Sequence, residues 1–178
     1  MELDSVINKR RSIRKFKNEP IELEKIKTVV KAAIEAESWK NSQTARYHII
    51  TSKKLLTEFK KTCLPVFNQE NCKDAPVLII STFIKNRSGF ERDGSASNDL
   101  GNGWGCYDLG IHNQNLILKA TELGIGSLIM GIRDEKQIRT LLNISDQEVI
   151  VSVIALGISD IEPERPKRKD IDEICKFY

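Results

Sequence analysis

The amino-acid sequence predicts an α+β or α/β fold with about four strands in one sheet covered by helices. Segments in which apolar residues recur at helical spacing are mixed with short apolar runs rich in branched side chains. The run at 76–84 is almost continuously apolar, which is typical of a central strand buried on both faces. There is no internal repeat, and 178 residues are enough for one domain covering residues 1–178.

Periodicity and turn residues define the expected elements. Helices are predicted at 3–9, 22–37, 53–63, 107–123, after Asp134 and at 171–177. Strands are predicted at 47–51, 76–84, 127–132 and 148–158. Residues 86–103 are rich in Asn, Gly, Ser and Asp, which predicts a long loop. Gly124 is expected to end the long helix, because Gly is favoured directly after the last helical residue.

Composition argues against several classes of partner. The net charge of +3 is mild, so the electrostatic case for nucleic-acid binding is weak. No apolar run approaches the roughly 20 residues that span a bilayer, so no membrane partner is expected. The first residues contain no apolar segment of the kind found in secretory signals. We therefore expect a cytoplasmic protein.

Cysteines and histidines give no sign of a metal site. The four cysteines are scattered, none forms a C-x-x-C pair, and no His lies at ligand spacing from one. Free thiols are expected. His48 and His112 lie in no recognisable catalytic motif and are predicted to be hydrogen-bonded structural residues. The chain also lacks the glycine-rich signatures of a Rossmann dinucleotide site and of a P-loop.

The segment 10–16 is the most unusual stretch, with four cationic side chains in seven positions. If it is extended, Arg10, Ser12 and Arg14 line one face. That face suits a ligand with a phosphate at one end, because guanidinium groups bind phosphate oxygens bidentately and a Ser hydroxyl donates to a neighbouring acceptor. By itself, however, the segment is more typical of a solvated basic turn or a nucleic-acid patch than of a phosphate site.

Further motifs follow in a particular order. They are Ser38-x-x-Asn41-x-Gln43 after the second helix, Asp108 and Asn115 on the long helix, Met130-Gly131 after a strand, and a basic Pro-Lys-Arg-Lys segment at 166–169. Together with the segment 10–16, this order and spacing resemble the nitroreductase family of FMN-dependent oxidoreductases over nearly the whole chain.

The resemblance implies an α+β fold with a mostly antiparallel sheet of four to five strands. It also implies an intertwined homodimer with FMN at the subunit interface. The implied cofactor-binding residues are Arg10, Arg11, Ser12 and Arg14 from one subunit, Ser38, Trp39 and Asn41 from the other, Met130 and Gly131 near the isoalloxazine ring, and Lys167 and Arg168 at the phosphate. A shift of register in the tail gives the phosphate role to Arg165 or Lys169 instead.

The implied activity is hydride transfer from NADPH or NADH through flavin N5 to nitroaromatic, quinone or similar small-molecule acceptors. No catalytic side chain is expected, because the flavin carries the chemistry, and Arg14 is predicted to tune it as a fixed cation near N1. Asp108 is predicted to be structural, and Trp104 and Cys106 to be packing residues. Two alternatives are a specialised flavoprotein of the same fold, for ene-reduction or a flavin-consuming reaction, and a non-enzymatic basic interaction module.

The sequence departs from the family pattern on the acceptor side. Trp39 is a bulky residue where a small one is common, and Glu37 and Thr44-Ala45 stand where prolines and a tryptophan are frequent. The region between Pro76 and Trp104 is short, so the insertions that cap the site in larger members are expected to be missing.

Overall fold

A computed structural model describes residues 2–178. The helices are α1 (Leu3–Lys9), α2 (Leu23–Ile34), α3 (Lys53–Cys63), α4 (Val66–Asn71), α5 (Gly103–Glu122), α6 (Glu135–Leu142) and α7 (Ile171–Ile174). The strands are β1 (Ala45–Ile50), β2 (Val77–Ile84), β3 (Gly126–Met130) and β4 (Glu148–Gly157). A single 3₁₀ turn, Trp39–Asn41, separates α2 from β1.

The four strands form one sheet in the order β1-β2-β4-β3, and every neighbouring pair is antiparallel. This confirms the α+β class and the antiparallel sheet. Strand β2 lies inside the sheet, and all of its residues except Ile84 are buried. The prediction of a central strand covered on both faces is therefore also confirmed.

Alternate residues of β2 enter two separate cores. Val77 and Ile79 pack with α2 and α5 on one face, whereas Leu78 and Ile80 pack with α3 and α6 on the other. This is the period of two that an extended strand imposes on its side chains. The 20-residue helix α5 thus lies against one face of the sheet, beside α2.

Helix α5 begins at Gly103, four residues before the predicted start. The glycines in its first turn suggest a loop when the sequence is read alone, but Gly105 is buried directly against Phe83. A Cβ on Gly105 would lie 2.3 Å from that ring, so only glycine permits this approach of α5 to β2. At the other end, Gly124 has a φ of +74° and ends the helix as predicted.

The remaining elements match the predictions with small shifts. Helix α2 ends at Ile34 rather than at 37, and Asp134 caps α6 by accepting a hydrogen bond from the Gln137 N–H at 2.9 Å. Helix α4 was not predicted, because its six residues are too few to establish a period. Within residues 2–178, no helix has both the length and the apolar character needed to cross a membrane.

Candidate functional site

The basic segment runs along the edge of the sheet beside β3. Ser12 forms a single parallel bridge with Ser127, and the Ile13 N–H donates to the Ser127 carbonyl at 2.9 Å. Ile13 is buried, whereas Ser12 and Arg14 on either side of it are exposed. The side chains therefore alternate as in an extended segment, with Ile13 anchoring it to the core and Ser12 and Arg14 facing outward.

A cavity of about 400 Å³ lies between this segment, α5 and the C-terminal tail. Four arginines line it, namely Arg10, Arg11, Arg165 and Arg168. Its other walls are apolar or amide side chains, namely Ile7, Gln114, Ile117, Leu118 and Ile129. No carboxylate lines the cavity among the residues described. The arrangement is an electropositive pocket that favours an anion.

The charges of neighbouring arginines act on Arg10. Partial burial lowers the pKa of Arg10 below its ordinary value, and the nearby charges of Arg168 and Arg11 lower it further. Like charges repel at this range, so bringing the three guanidinium groups together is unfavourable unless an anion neutralises them. A phosphate dianion has the charge and the acceptor oxygens to do so.

The arginines differ in what their side chains already bind. Arg11 Nη1 donates to the carbonyls of Asn8 at 2.6 Å and Arg10 at 2.9 Å, which closes the end of α1. Arg165 Nη1 donates to Asn8 Oδ1 at 2.6 Å and thereby ties the tail to α1. The Arg10 guanidinium makes no hydrogen bond or ion pair with the described residues. Lys167 is exposed and does not line the cavity, whereas Arg165 and Arg168 do.

The second predicted motif forms a tightly held loop. Ser38 Oγ accepts from the Gln43 N–H at 3.0 Å, and Asn41 Oδ1 accepts from Gln43 Nε2 at 3.2 Å. Positive φ angles occur at Lys40, Asn41 and Gln43. The side chains of Ser38 and Asn41 therefore stabilise the turn within one chain, and neither they nor Trp39 line the cationic cavity.

One buried carboxylate fixes this loop to α5. Asp108 Oδ2 accepts from the Trp39 N–H at 3.0 Å and from the Ser88 hydroxyl at 2.5 Å. A second tie joins Lys40 Nζ to Glu91 Oε2 at 3.0 Å. Both ties link the loop to residues 86–102, which belong to the long loop predicted at 86–103. Asp108 is structural, as predicted.

The end of β3 is held from both sides. Met130 is buried and Gly131 is exposed. Arg133 donates to the carbonyls of Gly131, at 3.0 Å, and of Ile150. Asn68 Nδ2 donates to the Ile132 carbonyl at 2.9 Å. The sequence reasoning missed Asn68, and no local pattern marks it, because it is followed directly by the polar residues Gln69 and Glu70.

Strand β3 joins the separate predictions into one region. Ser127 pairs with Ser12, Ile129 lines the cationic cavity, and Met130-Gly131 follow directly. The structure therefore brings together the basic segment, the tail arginines and the glycine turn. It leaves Ser38, Trp39 and Asn41 in a different region of the same chain.

The two histidines differ from each other. His48 Nε2 lies 2.8 Å from Glu148 Oε2, as expected of a hydrogen-bonded structural residue. His112 is buried, and neither ring nitrogen has a partner among the described residues, so that prediction was wrong for His112. Burial lowers the pKa of His112, while Asp108 and Glu37 oppose the shift. In the chain from 2 to 178, no cluster of three or more His, Cys, Asp or Glu residues has an arrangement for a metal ion.

The fold is thus an α+β sheet with a cavity lined by four arginines beside the edge strand β3, and such a cavity favours an anionic ligand. The sequence profile of the Nitroreductase family matches residues 7–70 and 64–158. The chain therefore belongs to the nitroreductase family, a family of flavin-dependent oxidoreductases, and the protein is an enzyme.

Individual relatives agree with this assignment. A protein of Archaeoglobus fulgidus that bears the provisional name NADH dehydrogenase/NAD(P)H nitroreductase is 28% identical over 156 residues, covering 85% of this chain and 82% of its own. A crystal structure of a BluB-like flavoprotein from Clostridium difficile 630 is 25% identical with a TM-score of 0.80, covering 100% of this chain and 99% of its own. A structure described as an oxidoreductase containing FMN is 23% identical with a TM-score of 0.77, covering 90% and 79%; it supports the fold.

Proposed function

We propose that this protein is an FMN-dependent oxidoreductase that passes a hydride from NADPH or NADH to nitroaromatic, quinone or similar acceptors. The observation that carries the proposal is the cavity lined by four arginines beside β3. Its unneutralised charge suits the FMN phosphate, so the residues present fit the cofactor. The polar face of the segment, with Ser12 and Arg14 exposed, extends from that cavity along the sheet edge.

Each group of residues has a distinct role in the proposed site. Arg10, Arg165 and Arg168 bind the phosphate, and Arg11 holds the end of α1 in place. Bound FMN supplies a ring nitrogen, N5, that accepts and donates the hydride. Arg14 provides a fixed positive charge that favours the reduced, anionic ring. Over the whole reaction NAD(P)H becomes NAD(P)⁺, and a quinone gains that hydride and a solvent proton to become a hydroquinone.

The proposed enzyme is a homodimer, and the outer face of α5 supports this. Gly103, Tyr107, Gly110 and Gln114 are exposed and lie along one stripe of the helix. A Cβ added to Gly110 meets nothing within 4 Å, so a second helix can approach closely there. Within one chain the Ser38–Gln43 loop lies away from the cationic cavity. Pairing of two such α5 faces would bring the loop of one chain towards the cavity of its partner.

The visible spectrum tests the proposal most directly. The purified protein is expected to be yellow and to bleach on anaerobic addition of NADPH or NADH, then regain colour when a quinone is added. Arg10→Ala is expected to lose FMN, whereas Arg87→Ala, an exposed arginine outside the cavity, is expected to keep it. A colourless protein that takes up no added FMN refutes the proposal.

A specialised flavoprotein of the same fold is the second candidate, and the likeness to a BluB-like flavoprotein favours it. In that case the colour is lost permanently on reduction in air rather than recovered, because the flavin itself is consumed. The recovery of flavin absorption after repeated cycles of NAD(P)H and acceptor therefore separates the two candidates.

A further inference from the structure

The outer edge of β3 presents a backbone N–H group that the chain itself does not use. Strand β3 pairs with β4 on one side only, and on its other side the Ser127 carbonyl accepts from the Ile13 N–H. Alternate residues of a strand direct their backbone groups to opposite edges, so those of Met130, which pairs with Val153, face β4. The N–H of Gly131 lies opposite the Met130 carbonyl in a planar trans peptide and therefore points to the outer edge. No residue between 2 and 178 accepts a hydrogen bond from it.

Arg133 determines the orientation of the next peptide. Its guanidinium donates to the Gly131 carbonyl at 3.0 Å and to the carbonyl of Ile150 in β4, so the Gly131 carbonyl is held towards β4. The N–H of Ile132 lies opposite that carbonyl in the same planar peptide and thus faces away from β4. It too has no acceptor among the described residues. Two consecutive N–H groups are therefore free on the outer side of this turn.

The turn is open on that side and lies next to the cationic cavity. Gly131 is exposed, and a Cβ added to it meets nothing within 4 Å. Ile129, two positions earlier and about 7 Å away along the strand, lines the cavity. Asn68 holds the Ile132 carbonyl at 2.9 Å, so both carbonyls of the turn are bound by side chains. Successive N–H groups held in this way bind acceptor atoms or anions.

The charge of Arg133 is not neutralised within the chain. Arg133 is partly buried, it forms no ion pair with the described residues, and its buried Nε has no hydrogen-bond partner. Arg139 differs, because it donates to three backbone carbonyls and also pairs with Glu135 at 2.8 Å. Burial of a charge without a counter-ion costs free energy. An unneutralised guanidinium beside two free N–H groups makes this turn favourable for an electron-rich ligand.

We propose that Arg133 is a positioning residue for the flavin ring. This inference rests on the function proposed above. Arg133 does not touch the ring in this assignment; it acts through the backbone and keeps the N–H groups of Gly131 and Ile132 directed at acceptor atoms of the ring. Glycine adopts many backbone conformations, so the peptide after Gly131 is free to rotate once Arg133 no longer holds its carbonyl. Donors fixed in advance bind more tightly than donors that must first be ordered.

Binding of FMN and of riboflavin, which has the same ring but no phosphate, tests this role. Flavin fluorescence titrations of the FMN-free full-length protein give both dissociation constants. Arg133→Ala is expected to weaken both ligands about tenfold, as when a hydrogen bond is lost, whereas Arg10→Ala is expected to weaken FMN far more than riboflavin. Arg133→Lys should restore most of the affinity, because an ammonium can bridge two carbonyls, as Lys60 bridges those of Lys73 and Ala75. A loss for FMN alone in Arg133→Ala, or for neither ligand, overturns the inference.

Arg139→Ala is the matched control, because it also removes an arginine bound to backbone carbonyls. It is expected to lower the free energy of unfolding and to leave both flavin affinities unchanged. Guanidinium ion at a non-denaturing concentration is expected to restore flavin affinity to Arg133→Ala by filling the vacated site. If Arg133→Ala does not fold, Arg133→Gln, which keeps one amide donor, takes its place with the same expected direction. Equal losses of flavin affinity in Arg139→Ala and the Arg133 variant would show general destabilisation and overturn the inference.

The two proposals fail differently. A wild-type protein that binds neither FMN nor riboflavin refutes the proposed function and this inference with it. A wild-type protein that binds FMN and oxidises NAD(P)H, combined with unchanged flavin affinities in Arg133→Ala, refutes only the positioning role of Arg133.

Discussion

The carboxylate of Asp108 accepts a hydrogen bond from the backbone N–H of Trp39 at 3.0 Å, although the two residues lie 69 positions apart. The same oxygen accepts the Ser88 hydroxyl, so one side chain joins α5, the Ser38–Gln43 loop and the 86–102 segment. Asp108 is only 4% exposed, so water competes little with the two donors for its carboxylate.

Removal of this carboxylate is expected to destabilise the protein. Asp108→Ala leaves the Trp39 N–H and the Ser88 hydroxyl without their acceptor, which costs about 3 kcal/mol in the free energy of unfolding. Urea denaturation measures the change. Asp99→Ala removes an exposed carboxylate of the neighbouring loop, and its unfolding free energy is expected to stay within about 0.5 kcal/mol of wild type. Equal stabilities of the two variants would contradict the role of Asp108.

In the C-terminal tail, Arg165 is expected to contribute more to FMN binding than Lys167, because only Arg165 lines the cavity. Arg165→Ala should weaken FMN binding about tenfold, the effect of losing one charge-assisted hydrogen bond. Lys167→Ala should have a much smaller effect, because Lys167 is exposed outside the cavity. Fluorescence titration with FMN gives both dissociation constants. A larger loss in Lys167→Ala would show that the tail adopts the other register when the cofactor binds.

Arg14 is expected to affect electron transfer more than cofactor retention. Arg14→Ala removes the positive charge proposed to stabilise the reduced flavin, so we expect a lower reduction potential and about tenfold slower hydride transfer, or about 1.4 kcal/mol. Arg14→Lys should restore part of both. Stopped-flow reduction by NADPH and a potential titration measure them. Unchanged FMN content together with an unchanged rate in Arg14→Ala would exclude this role.

Glu148 is expected to contribute to acid sensitivity. Burial alone raises its pKa, but hydrogen bonds from His48 and Thr82 outweigh burial and hold the pKa of Glu148 below its ordinary value. A lowered carboxyl pKa contributes stability that is complete above the unfolded pKa of about 4.3 and is lost as the pH falls through the folded value. Wild type should therefore lose more stability than Glu148→Gln on acidification below about pH 4.3. Parallel curves of unfolding free energy against pH would contradict this.

The dimer proposal predicts a selective effect at Gly110. Gly110→Leu fits the single chain, because a Cβ there meets nothing within 4 Å, and it improves helix propensity by about 0.8 kcal/mol. Between two closely packed helices the same side chain collides. We expect Gly110→Leu to give a folded monomer that binds FMN weakly. Light scattering measures the oligomeric state, and visible absorption measures the FMN content. Lys54→Leu adds the same side chain to the exposed face of α3 and should remain dimeric.

Local patterns predicted most of the fold. The helix at 53–63 and the strand at 76–84 were recovered because each buries a regular stripe or run of apolar side chains. Helix α4 and the first turn of α5 were missed. Helix α4 is too short to show a helical period. The first turn of α5 contains glycines, and the reason for Gly105, its close approach to Phe83 of β2, is apparent only in the folded structure.

The site was predictable in composition but not in arrangement. Arginines of the N-terminal segment were predicted to bind the cofactor together with Lys167 and Arg168 of the tail, with Arg165 or Lys169 as the alternative register. Of these tail residues, Arg165 and Arg168 line the cavity. Arg165 reaches the cavity through a hydrogen bond to Asn8, 157 residues earlier, and no local pattern encodes a contact of that separation. The prediction also failed for His112. Buried polar groups are normally hydrogen-bonded, so nothing in the sequence indicated a buried ring without a partner.

The sequence by itself predicted the helices, the strands and one sheet from their periodicity, and the order of its motifs carried the resemblance to the nitroreductase family, which in turn implied the antiparallel α+β sheet. The tertiary structure alone decided which arginines converge, what Asp108 binds and which carbonyls Arg133 holds. Those outcomes depend on how α5 and the long loops pack against the sheet, and packing joins residues whose separation along the chain carries no signal.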